Sequence, residues 1–99
     1  MEINIKNEGD VTTLLPIGNI DYSNSAELDQ KIEECSENAN QIILDMQDVT
    51  YISSAGLRIL LNADELMADK GGFIIKNVSP SVMEVLVMTG FAEALTIEN

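Results

Sequence analysis

The spacing of apolar residues changes several times along the chain, and each change marks an element. Ile3 and Ile5 alternate with polar neighbours, the two-residue period of a short edge strand. Glu8-Gly9-Asp10 then reads as a hairpin turn, and Val11 to Ile17 as a second strand. Pro16 near its end points to a sheet edge or a bulge, because proline cannot donate to a ladder. The spacing next lengthens: Leu28, Ile32, Cys35 and Ala39 recur at i, i+4, i+7 and i+11, one narrow helical stripe. Asn24 is placed to cap that helix with Glu27 three residues on, the capping-box spacing. Glu27, Asp29, Glu33, Glu34 and Glu37 populate its remaining surface.

Gln41 to Met46 is a largely apolar run, as expected for a strand within a sheet covered on at least one face. An acidic turn follows, and a helix is expected from Ser54. Gly56, Leu60, Ala63 and Met67 fall on one side of it, Arg58, Asn62, Glu65 and Asp69 on the other. Gly71-Gly72 ends this helix and Phe73-Ile74-Ile75 starts a strand. Ser79-Pro80 opens a third helix, a cap followed by proline at the first helical position. Val82, Val85 and Leu86 form its stripe. Met83 and Val87 lie one turn apart outside it, either at the edge of the core or as an apolar docking patch. Gly90 sits where a left-handed terminal residue is wanted, and Ala94 to Ile97 reads as a final short strand. The order β-β-α-β-α-β-α-β implies an α/β fold: one domain over residues 1–99, with helices packed on a mostly parallel central sheet through right-handed crossovers.

Composition narrows what such a domain does. The 99 residues suffice for a single core, and 45% hydrophobic content sets the chain apart from disordered segments despite a net charge of −12. Five basic residues against seventeen acidic ones argue against nucleic acid and against an anionic membrane surface. They favour a protein partner with a basic face, toward which long-range attraction speeds encounter. The start of the chain is too polar for a signal peptide, and no apolar run approaches the length of a membrane span. Cys35 has no second cysteine to pair with, which suits a reducing cytoplasm, and its place in the stripe makes it a small core hydrophobe. The expected location is cytoplasmic.

The most informative residues are Ser53 and Ser54. Serine is among the best helix caps, since its oxygen accepts an amide of the first turn, so both have a purely structural reading. Gly56 has one too, if a side chain there would block close packing. The wider context says more. Leu44 to Leu61, LDMQDVTYISSAGLRILL, resembles the signature of the STAS domain family, which includes bacterial anti-sigma factor antagonists and the cytoplasmic tails of sulphate transporters. Gly18-Asn19-Ile20-Asp21 resembles that family's Gly-x-Leu-Asp, and Asn77 to Phe91 its closing helix. The similarity runs through the whole chain and leaves no room within it for a transporter domain.

The resemblance implies a reversible phosphoserine two residues before the glycine, which is Ser54, with Ser53 as a competing acceptor. Ser53 stands where the family often has Asp, and Ala55 where it often has a second Ser. It also implies that the unmodified domain binds an anti-sigma factor with serine kinase activity, freeing a sigma factor, and that a serine phosphatase restores the modified form. The partner-facing residues would be Asp21, Ser53, Ser54, Gly56 and Arg58, in a domain expected to act as a monomer. Asp21 has an alternative as a turn residue bonded to its own backbone. The physics of such a switch is simple. A phosphate adds roughly −1.5 to −2 charge that helix N-terminal amides can hold locally, while like-charge contact opposes docking.

Other classes fit less well. With no histidine, His-based acid–base or triad chemistry is ruled out, and no cofactor is called for. No Cys or His spacing suits a metal. Asp21, Asp45 and Asp48 could in principle hold Mg²⁺ as in a phospho-Asp receiver, yet the adjacent acidic pair and placed lysine of that design are absent. Gly71-Gly72 is too slight, and precedes a strand, for a phosphate-binding loop. The reading is therefore a non-enzymatic regulator. Its alternative is a stand-alone STAS subunit that regulates or scaffolds a membrane transporter or larger signalling complex.

Overall fold

The computed structural model describes residues 1–99. Its sheet is organised around the longest strand. β1 (Glu2–Glu8) and β2 (Val11–Ile20) form an antiparallel hairpin, in register from Glu2 opposite Ile17 to Glu8 opposite Val11. Gly9 turns the hairpin with φ +65, a conformation open to glycine at little cost. Every other pairing is parallel. The lower half of β2, Val11 to Leu14, pairs with β3 (Gln41–Asp45), while its upper end, Gly18 to Ile20, pairs with β4 (Val49–Ile52). Pro16 falls between these two partners, so its missing N–H is of little consequence there. β3 pairs with β5 (Gly72–Lys76), and β5 with the two-residue β6 (Ile97–Glu98).

Alternation along these strands defines a buried face. Leu14, Ile42, Leu44, Phe73 and Ile75 are buried, whereas Thr13, Leu15, Ile43 and Ile74 point the other way and are half-buried. α1 (Ser25–Ser36) and α2 (Ser54–Met67) lie against each other on the sheet. They contribute Leu28 and Ile32, and Leu57, Leu60, Ala63 and Met67, to a single core of 21 buried residues. This one contiguous cluster takes residues from β2, β3, β4 and β5, while Ile3 of β1 and Ile97 of β6 are partly buried and pack against it. α3 (Pro80–Met88) packs beside β4 and adds Val82 and Leu86, followed by the single turn α4 (Phe91–Ala94).

The α/β architecture and mostly parallel sheet agree with expectation, and five local differences have physical causes. β4 lies where an acidic turn and loop were expected, because it is short and its central residues Thr50 and Tyr51 are exposed. β2 runs three residues beyond Ile17, held there by β4. Gly71-Gly72 does not terminate α2. The helix ends at Met67, Asp69 lies beyond it, and Gly72 opens β5 at φ +99. Ala94 belongs to α4 rather than to a strand, which shifts the last strand to Ile97–Glu98. On α1 the buried polar residue Ser36 shares the stripe, its hydroxyl donating to the Glu33 carbonyl, while Cys35 is half-buried. Burial and the neighbouring Glu34 raise the Cys35 thiol pKa, with Lys31 opposing them.

Leu44 is fully buried mid-sheet and Ile17 is 38% exposed on the opposite face. Leu44→Ala is therefore expected to lower stability by about 2–5 kcal/mol, and Ile17→Ala by under about 1 kcal/mol, in denaturant melts followed by circular dichroism.

Candidate functional site

The start of α2 is fixed from below by the sheet. β2 and β4 run side by side to Ile20 and Ile52, and the Ser53 amide donates to the Ile20 carbonyl at 2.9 Å. That bond leaves Ser53 extended, with φ −92 and ψ 175, as an N-cap requires. Its hydroxyl oxygen accepts the Gly56 amide at 3.4 Å and its carbonyl the Leu57 amide at 2.9 Å. Ser53 is thereby half-buried and engaged in capping.

Ser54 is different. It is the first helical residue, it is exposed, and its hydroxyl makes no hydrogen bond within the protein. Its amide and that of Ala55 belong to the first turn, where no intrahelical acceptor exists, and the positive end of the helix dipole lies there. The sequence left two serines in competition. Their geometry separates them into a structural hydroxyl and a free one.

Gly56 explains why the helix can start so close to the strands. A Cβ at this position would lie 2.7 Å from Ile52 Cγ1, 2.8 Å from Ile20 Cγ2 and 3.3 Å from the Ile20 carbonyl oxygen. Ile20 and Ile52 are themselves buried, so neither can give way cheaply. Gly56 is buried and presents no atom to a partner; it serves the site by seating the helix. Of the five residues expected on a partner-facing surface, it is the one the fold turns inward.

Asp21 follows Ile20 directly, which puts it beside the serines. Its carboxylate accepts both the amide and the hydroxyl of Ser23, at 2.9 and 2.6 Å, and its carbonyl accepts the amides of Asn24 and Ser25. The turn role weighed for this residue is therefore real, and its half-exposed position leaves it at the surface as well. The Ser23 hydroxyl, and after it the Ser23 amide, hold the Asp21 carboxyl below the usual carboxylate value; desolvation opposes them weakly. Asn24 stands at the N-cap of α1, but its side chain does not cap. It accepts the Asp21 amide and donates to the Asn19 carbonyl, bracing the loop. Glu27 closes no capping box and instead lies 2.9 Å from the Met1 nitrogen.

Two clefts flank Ser54. One, of about 470 Å³, runs between α2 and the α3–α4 junction, with Leu57, Leu61 and Phe91 as its apolar lining and Asn62, Glu65 and Thr89 around them. The other, of about 370 Å³, lies toward the loop after β2, bounded by Tyr22, Ser25 and Ile59. Ser54 and Arg58 border both, so they form the ridge between them. Tyr22 is 90% exposed, and Met88, next to Thr89, is 78% exposed. Exposed apolar surface thus stands on either side of the serine, the usual make-up of an interface core. Tyr22 and Phe91 line these clefts, and neither was among the residues expected at the site from the sequence. An aromatic set in the polar turn Asp21 to Ser25 was the available signal for Tyr22; Phe91 had none, since it reads as core. Val87 is 62% exposed and Met83 is half-buried against the core, so Met83 lies at the core edge and Val87 outside it.

Asp45 bonds Gln47 and Asn77, Asp21 bonds Ser23, and these carboxylates are not gathered into any metal-binding group. No helix is long and apolar enough to cross a membrane.

A helix seated on parallel strands, with a free hydroxyl at its tip, is the frame of a known class of domain. The STAS domain model matches residues 2–99, and the chain belongs to that family. BtrV of Bordetella bronchiseptica, named as an anti-sigma factor antagonist, is 30% identical over 84 residues, covering 83% of this chain and 72% of that protein. The anti-sigma-B factor antagonist of Bacillus subtilis is 25% identical over 101 residues, covering 98% and 92%. Among solved structures, an anti-sigma factor antagonist from Mycobacterium paratuberculosis superposes with a TM-score of 0.87 at 21% identity, covering 97% of this chain and 83% of that one.

Gly56→Ala is expected to lose roughly 1–2 kcal/mol in thermal or denaturant melts, the overpacking outweighing alanine's better helix propensity. Asp21 yields a pH prediction. Its folded pKa lies below its unfolded value near 3.8, so the Ser23 bonds contribute fully above that value and are lost as pH falls through the folded pKa. Carboxyl-carbon NMR should place its midpoint below 3.8, and Ser23→Ala should move it up toward 3.8.

Proposed function

We propose that the chain is an anti-sigma factor antagonist whose binding is switched by phosphorylation of Ser54. Unmodified, it docks on an anti-sigma factor that is also a serine kinase, and the displaced sigma factor is released. In the complex the Ser54 oxygen attacks the γ-phosphorus of the partner's ATP. The O–P bond to the β-phosphate breaks, ADP leaves, and the hydroxyl proton passes to a base on the kinase. The phosphorylated protein dissociates and a serine phosphatase hydrolyses the ester. The domain itself supplies no catalytic group and acts in the cytoplasm.

The observation that carries this reading is the exposed, unbonded hydroxyl of Ser54, two residues before the glycine that seats α2 on the sheet. Ser53 is a poorer acceptor because its oxygen already takes the Gly56 amide. The relatives' role as antagonists supports the partner, and the surface supports the switch. A dianion placed on the ridge between two clefts sits inside any interface that covers both. In a chain of net charge −12 the partner's complementary face is basic, but its nucleotide phosphates are not, and it is near these that the serine must lie to react. Repulsion at that point opposes docking, and about 1.4 kcal/mol is enough for a tenfold change in affinity.

The test is phosphorylation by the cognate kinase with ATP, followed by peptide mapping and affinity measurement. Phosphate is expected on Ser54, with Ser54→Ala unmodified and Ser53→Ala still modified despite losing about 1 kcal/mol of capping. Affinity for the anti-sigma factor should fall at least tenfold on modification. Undiminished labelling of Ser54→Ala would assign the switch to another residue, and equal affinity of the two forms would remove it.

A further inference from the structure

The ridge between the two clefts carries a second polar group besides Ser54. Arg58 is four residues on, one helical turn along the same face, and is exposed. It is the only arginine in the chain. The ion pairs present are Met1 with Glu27 and Lys31 with Glu34, so Arg58 has no carboxylate partner although acidic residues outnumber basic ones seventeen to five. Its guanidinium makes no hydrogen bond within the protein either. The other cations are elsewhere: Lys31 on Glu34, Lys70 on the Ser36 carbonyl, and Lys6 and Lys76 on β1 and β5. Among the groups lining the clefts, Glu65 and the Tyr22 phenol are the only other titratable ones, and Glu65 is not within ion-pair distance of Arg58.

An unpaired guanidinium is well suited to two competing anions. Its planar fork takes two oxygens of a phosphate or carboxylate at once, and an acidic group followed by a basic one at i+4 is the favourable orientation on a helix. We propose that Arg58 changes partner with the state of Ser54. In the unmodified protein it faces outward and takes an anionic group of the binding partner; in the phosphorylated protein it folds back onto the Ser54 phosphate. The switch then has two parts. Modification adds an anion to the surface, and it withdraws the one cation that the surface offers. This rests on Ser54 being the modified residue, and it adds to that reading a positioning residue and a role for the unmodified state.

Two measurements test it, and the first needs neither kinase nor partner. Phosphoserine is installed at position 54 during translation, and its second ionisation is followed by phosphorus NMR in the otherwise native chain and in Arg58→Gln and Arg58→Lys. The second pKa of phosphoserine is near 6. Arg58 should hold it lower, Arg58→Gln should raise it by about half a pH unit, and Arg58→Lys should recover part of the difference. Helix amides act equally in all three, so an identical pKa in all of them would overturn the intramolecular contact. The second measurement is a cycle of affinities for the anti-sigma factor. Arg58→Gln should weaken the unmodified protein several-fold and leave the phosphorylated protein unchanged. An equal loss in both states would overturn the exchange of partners. Should kinase mapping place the phosphate elsewhere, the function proposed above fails, while the titration still reports on the Ser54–Arg58 pair.

Discussion

The hydrogen bond from the Ser53 amide to the Ile20 carbonyl sets the geometry of everything near the functional surface. It ties the first residue before α2 to the end of β2, at the level where β4 also stops. For a helix to begin so near two strand ends, the third helical residue must carry no side chain, and Gly56 meets that condition with Ile20 and Ile52 pressed against it. The same carbonyl-bearing residue is followed at once by Asp21, whose turn bonds lead the chain into α1. A single point of close contact therefore positions both serines, the acidic loop beside them and the entry to the neighbouring helix. Ile20 and Ile52 beneath it are buried in the core, so the contact is backed by close-packed side chains.

Much of this was readable because the relevant elements announce themselves by period and punctuation. The helices that begin at Ser54 and Pro80 have serine caps that bond where expected, Ser53 to Gly56 and Ser79 to Val82, and Gly90 takes the left-handed conformation that ends α3. What escaped the sequence was decided by partners distant along the chain. β4 exists because the upper end of β2 offers an unpaired edge; its own four residues, with two exposed in the middle, carry no strand pattern. Asn24 sits at its expected cap position, yet its side chain turns back to the Asp21 amide and the Asn19 carbonyl, a choice that depends on the loop's path. The site followed the same rule. The sequence could nominate its serines, aspartate and arginine as candidates, whereas the clefts that put Tyr22 and Phe91 near Ser54 arise from packing between α2 and elements on either side.

Charge completes the picture in a way that burial does not. Carboxylates are spread over exposed positions of α1, α2 and the loops, where they cost little stability and hold the chain at −12. Such a field repels nucleic acid and attracts basic protein surfaces, but at long range it cannot distinguish one basic surface from another. Discrimination has to come from short-range features, and several lie at the tip of α2: a cleft of mixed polar and apolar lining on each side, an exposed aromatic, an unpaired arginine and a free hydroxyl. Cys35, by contrast, sits half-buried with its thiol pKa raised, away from this cluster.

Two adjacent serines solve a conflict that one serine would face alone. A hydroxyl that caps a helix must stay in place and accept an amide, while a hydroxyl that is esterified must enter another protein's active site and gain a dianion. If Ser53 were the modified residue, its phosphate would have to leave the Gly56 amide or crowd the half-buried ground beside Ile20 and Ile52. Esterification would then alter the start of α2, and binding and stability would change together. With Ser53 retained as the cap, a phosphate on Ser54 projects into solvent over free first-turn amides, and the helix below it keeps its hydrogen bonds. On the function proposed above, modification would leave the fold in place and change only the charge of the surface, so the same domain could pass repeatedly between its two forms.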